Sequence, residues 1–142
     1  MTYIFSGILS DQKIETSIPE DSEELVFREI KHAQFGSGVL FPNQAEDQID
    51  RPNESTFDLV NRLKKYGISE GFWIYYSCWG GDLECVATAK LSNSQIDMNS
   101  YSLAENMSYE DLPQLFKKFG FQIERGGNFE PFIRNYWGKH GY

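Results

Sequence analysis

Apolar and polar residues alternate in short runs along most of the chain, and helical spacing takes over in a few places only. Tyr3 to Leu9 (YIFSGIL) predicts a strand. Residues 10–23 are polar, contain Pro19 and predict loop or turns. Glu24 to Ile30 (ELVFREI) alternates, with Leu25, Phe27 and Glu29 on one side and Val26, Arg28 and Ile30 on the other. Gly36 and Gly38 punctuate the next piece, and Val39 to Phe41 is a short apolar strand. Pro42 to Asn53 predicts a long, acidic, exposed loop. Thr56, Leu59, Val60, Leu63 and Tyr66 then recur at helical spacing. Asn53 or Ser55 can cap that helix, and Gly67 can stop it.

The clearest element is a hairpin. Phe72 to Trp79 (FWIYYSCW) and Asp82 to Leu91 (DLECVATAKL) flank Gly80-Gly81, and Gly-Gly suits a two-residue turn. Counted outward from that turn, the register pairs Cys78 with Leu83, Tyr76 with Cys85, Ile74 with Ala87 and Phe72 with Ala89. This face is apolar and belongs on the core. The other face pairs Trp79 with Asp82, Ser77 with Glu84, Tyr75 with Val86 and Trp73 with Thr88, and is aromatic and acidic together.

Gln95 to Leu103 alternates as a further strand. Ser108 and Asp111 have capping-box spacing. Leu112, Leu115, Phe116 and Phe119 follow as a helix that Gly120 ends, with Pro113 in its first turn. Phe121 to Ile123 predicts a brief strand before Gly126-Gly127. Pro131 suits a helix start, with Phe132, Ile133, Tyr136 and Trp137 on one face. The mixed order predicts an α+β fold in a single domain spanning 1–142. Its antiparallel sheet is built around a central aromatic hairpin at about 72–91, with helices packed on one face.

Composition changes this picture little, and charge changes it more. The 142 residues are 40% hydrophobic and 15% aromatic, too apolar for a disordered chain. No apolar run is long enough to cross a membrane. The N-terminus has no basic leader before its apolar stretch, so a cytoplasmic protein is expected. The net charge of −8 lies wholly in residues 1–60, which hold 12 acids and 4 bases, whereas residues 61–142 hold 9 of each. One acidic cluster contains Glu46, Asp47 and Asp50. Such a surface repels phosphate backbones and anionic lipid and draws in basic partners, and it also serves solubility. Nucleic acid and membrane are therefore not expected as partners. The C-terminal 28 residues interleave Arg125, Arg134 and Lys139 with aromatics, a pattern used for single strands, but the overall charge opposes it.

Candidate chemistry is sparse. No Walker loop, GxGxxG, GxSxG, HExxH or EF-hand pattern is present, and no cofactor or metal is expected. The only histidines are His32 and His140, too few for the usual zinc set. The only cysteines, Cys78 and Cys85, share the core face in the register above as diagonal neighbours, and suit small buried hydrophobes better than a disulfide. Asp82 and Glu84, at i and i+2 on a strand, have α-carbons about 6.6–6.8 Å apart. Flanked by Trp73 and Trp79, two such carboxylates could hydrolyse or bind a sugar. The same residues suit a protein interface, where Trp and Tyr anchor and acids attract a basic partner. The competing reading packs a helix over Trp73, Tyr75 and Trp79.

A small acidic domain without a catalytic signature, carrying GFWIYYSCWGGDLECVATAK at 71–90, resembles the immunity proteins of bacterial polymorphic toxin and contact-dependent inhibition systems. The resemblance implies a cytoplasmic inhibitor of one cognate toxin domain, often a basic nuclease. The expected partner-binding residues are Glu46, Asp47, Asp50, Trp73, Tyr75, Trp79, Asp82 and Glu84, in a monomer or weak homodimer with no catalysis. The alternatives are a carboxylate-dependent hydrolase or sugar-binding enzyme, and a non-catalytic structural or regulatory subunit.

Overall fold

Six alternating segments pair into one antiparallel sheet: β1 (Tyr3–Ser10), β2 (Val26–Glu29), β3 (Ser37–Leu40), β4 (Gly71–Trp79), β5 (Asp82–Ser92) and β6 (Gln95–Met107). Their spatial order is β2-β3-β1-β4-β5-β6. The structure is a computed structural model that describes residues 3–15, 17–79, 82–123 and 129–141. The expected Gly80-Gly81 and Gly126-Gly127 turns lie outside the described residues, as does Arg125. An α+β fold with an aromatic hairpin at the centre of the sheet is thus what the chain adopts. The β1 strand lies between β3 and β4, and a Cβ on Gly7 would sit 1.9 Å from the Val39 carbonyl oxygen. Only glycine permits that approach.

Helices cover both faces of the sheet rather than one. On the first face, Phe5, Ile74, Tyr76 and Val86 pack against Leu112 and Phe116 of α3 (Leu112–Phe119), and against Phe132 and Trp137 of two 3₁₀ segments (Glu130–Phe132 and Arg134–His140). On the second face, Ile4, Ile8, Trp73, Tyr75 and Ala87 pack against Ala45 of α1 (Pro42–Glu46), Val60 of α2 (Glu54–Arg62) and Leu63. The physical reason is visible in β1, where all eight residues are buried. A strand apolar on both sides needs cover on both sides.

The α2 helix starts as its sequence dictates. The Asn53 side chain accepts from the Thr56 amide, and the Thr56 hydroxyl accepts from the Asn53 amide. A 3₁₀ turn (Leu63–Tyr66) ends it at Gly67, whose φ is 87°. The capping box at Ser108 and Asp111 also forms, opening a 3₁₀ turn (Tyr109–Asp111) that leads into α3.

Two local expectations change. Pro42–Asn53 is not all exposed loop: α1 forms there and buries Pro42, Gln44 and Ala45. The Gln44 side chain accepts from the Thr56 hydroxyl and donates to the Asn53 side chain, which fastens α1 to the start of α2. Phe121 to Ile123 forms no strand; Phe121 and Ile123 instead plug the first-face core.

The hairpin register departs from simple counting. Trp79 pairs with Asp82 and Cys78 with Leu83, as alternation predicts. Then the register shifts: Ser77 pairs with Cys85, Tyr76 with Val86, Tyr75 with Ala87 and Trp73 with Ala89. Glu84 is the extra residue of a β-bulge, and every β5 side chain beyond it changes face. Cys85 therefore joins the second-face core while Cys78 packs against the first, so the two thiols lie on opposite sides of the sheet.

Candidate functional site

The hairpin end of β4 and β5 carries three predicted site residues that reach solvent, Trp79, Asp82 and Glu84. Trp79 ends β4 and is 43% exposed. Its indole Nε1 donates to the Ser77 Oγ at 3.1 Å, and that hydroxyl donates to the Glu84 Oε2 at 3.3 Å. Ser77 thus holds the indole and the carboxylate side by side. The bulge is what makes this possible, since it sets Glu84 against β4 outside the regular pairing. Asp82, opposite Trp79, and Glu84 are both exposed.

The β6 strand widens the surface. Leu103 pairs with Ala87 and Glu105 pairs with Cys85, so both stand on the second face. Leu103 is 42% exposed. The segment after α1 closes the far side. The Tyr101 hydroxyl donates to the Asp50 carbonyl oxygen at 2.8 Å, and the Arg51 guanidinium lies over the Tyr101 ring, 5.1 Å from its centroid.

The field of the three carboxylates is felt beneath the surface. Burial, followed by the charges of Asp50, Glu84 and Glu105, pushes the Cys85 thiol up to about 11. Burial pushes the Tyr75 phenol up to about 12, with Asp50 and Glu84 adding to it and the Ser77 hydrogen bond opposing it. A buried thiol held in its neutral form in this way is a poor nucleophile.

Of the predicted site residues, the structure brings together Trp79, Asp82 and Glu84 at the hairpin end, and Asp50 acts with Glu84 on Cys85 and Tyr75. It removes Trp73 and Tyr75 from the surface: they are 0% and 3% exposed, in the second-face core. Trp73 lies under Tyr101, with ring centroids 6.3 Å apart. The reason is the two-sided cover, which makes an aromatic face of a central strand into core. Glu46 and Asp47 are exposed at the end of α1. Asp47 lines a different cleft of about 380 Å³ with Phe41, Ile49, Asp58 and Arg62. Leu103 and Glu105 are added members of the site. The alternation read from Gln95 ends at Leu103, whereas β6 runs on to Met107 past an irregularity in its pairing with β5, so nothing in the sequence pattern marked the two.

Among the described residues, no group of three His, Cys, Asp or Glu side chains is placed to hold a metal ion. Nor is any helix there long and apolar enough to cross a membrane. No family model, curated protein or solved structure matches the chain.

Proposed function

We propose that this chain is a binding protein that neutralises a basic protein partner, with the Trp79–Leu103 surface as its docking site. The observation that carries the reading is two half-exposed apolar side chains, Trp79 and Leu103, on strands that also bear Asp82, Glu84 and Glu105, with the charges of Glu84, Glu105 and Asp50 converging on Cys85. Trp79 supplies a large, rigid anchor already oriented through Ser77, so little side-chain freedom is lost on binding. The carboxylates steer a cationic surface toward it and select against acidic partners. In its narrower form the proposal is an immunity protein that covers a cognate nuclease-type toxin domain. That form draws on the resemblance of the 71–90 segment together with the charge.

The test is capture of partners on the tagged full chain, run in parallel with Trp79→Ala and with Asp82→Asn/Glu84→Gln/Glu105→Gln. The reading expects one basic protein held by the unsubstituted chain and lost from both variants. A partner held equally by all three chains, or a partner with an acidic surface, would overturn it. Nuclease activity of the captured protein, silenced on adding this chain, supports the narrower form.

A further inference from the structure

At the other end of the hairpin, where Gly71 pairs with Leu91, the ends of three strands and two loops enclose an open cleft of about 580 Å³. That volume falls in the range of small-molecule sites, about 300–1,000 Å³. Its floor is aromatic. Phe72 and Phe121 meet with centroids 4.8 Å apart, and Phe35 meets Phe121 edge-on at 5.4 Å. Its rim carries both signs of charge: the carboxylates of Asp11 and Glu70, and the ammonium of Lys90. Among the described residues neither Asp11 nor Lys90 is in an ion pair.

The walls are set by hydrogen bonds that span long stretches of sequence. The Gln12 side-chain oxygen accepts from the Ser69 and Glu70 amides at 2.7 and 2.9 Å. The Ser10 hydroxyl donates to the Glu70 carbonyl oxygen at 2.6 Å, and the Asn93 amide donates to the Glu70 Oε1 at 3.2 Å. On the opposite wall the Gln34 side-chain oxygen accepts from the Gln122 amide. A cleft tied at each wall in this way is formed before any ligand arrives.

We propose that this cleft binds a free aromatic α-amino acid. Its ring lies on the half-buried Phe72, backed by the buried Phe121, its ammonium meets Asp11 and Glu70, and its carboxylate meets Lys90. A simple amine would face Lys90 and a simple carboxylate would face two acids, whereas a zwitterion satisfies both sets. The aromatic floor selects a flat apolar side chain over a polar one. The site shares no residue with the Trp79–Leu103 surface, so it stands independently of the proposed partner.

The experiment is a ¹H–¹⁵N titration of the full chain with L-phenylalanine, L-tyrosine and L-tryptophan, set against phenethylamine and 3-phenylpropionate. The proposal expects saturable shifts at Asp11, Gln34, Glu70, Phe72 and Lys90 with at least one amino acid. It expects each single-charge analogue to bind about tenfold more weakly or worse. Lys90→Gln, a change at an exposed side chain, should erase the advantage of the amino acid over phenethylamine while leaving the rest of the spectrum unchanged. Absence of saturable shifts with L-phenylalanine and L-tryptophan at about 10 mM, a concentration that detects Kd values in the millimolar range, and with L-tyrosine at saturation, overturns it. So do analogues that bind as tightly, or shifts located elsewhere.

Discussion

Two tryptophans of one strand divide the roles of structure and recognition. Trp73 is fully buried under Tyr101, and Trp79 stands 43% exposed at the strand end. Trp73→Ala should cost about 3–5 kcal/mol of stability through the cavity it leaves, measured by urea denaturation. Trp79→Ala should change stability by no more than about 0.5 kcal/mol. It should weaken partner binding by about 2 kcal/mol or more, measured by calorimetry on the captured complex. Equal stability losses in the two variants would contradict this division. Residue type alone did not separate them: both are Trp on the same face of one strand, at i and i+6. What differs is cover, which depends on where α1, α2 and Tyr101 come to rest.

At the scale of the element, the β5 bulge organises the hairpin. Deleting Glu84 would remove the extra residue and leave Cys85 opposite Ser77, Val86 opposite Tyr76 and Ala87 opposite Tyr75, each on its present face. Cooperative folding by circular dichroism is expected to survive that deletion, as it should survive Glu84→Gln, whereas deleting the regularly paired Val86 would slip Ala87, Ala89 and Leu91 to the other face and should abolish it. The sequence showed the hairpin, its two strands and the pairs nearest the turn. It did not show the bulge, because DLECVATAKL alternates acceptably in either frame and has no internal Gly or Pro to mark a slip. The capping signals were more legible, since Asn53 with Thr56, Ser108 with Asp111, and the terminal Gly67 and Gly120 act through local geometry. By contrast, α1 was hidden in a polar run because its buried Gln44 is satisfied by partners 9 and 12 residues away.

Burial of titratable groups in these packed layers also sets an alkaline limit. Burial pushes Cys85 up to about 11, and Tyr75 and Tyr136 up to about 12. In the unfolded chain the same groups ionise near about 8.5 for Cys and about 10 for Tyr. The folded state therefore holds these protons more tightly. Its advantage is complete below about pH 8.5 and is lost as pH climbs toward about 12. The urea midpoint should fall between pH 8 and about pH 10.5. A midpoint that stays level or rises would contradict this sign.

Across the whole molecule, charge and fold combine to set one end of the sheet apart. The acidic excess of residues 1–60 was plain from composition, and Asp50 carries part of it to the hairpin end. Glu84 and Glu105 come from the half of the chain that is neutral overall, and only the antiparallel pairing of β5 with β6 brings them to Asp50. The proposed surface is thus a product of topology more than of composition. Its central claim is electrostatic, and the most direct test is the association rate of the captured partner as salt is raised from about 0.05 M to about 0.5 M. A fall of about tenfold or more is expected, flattened in Asp82→Asn/Glu84→Gln/Glu105→Gln. A rate that does not change with salt, or a slope unchanged in that variant, would contradict it.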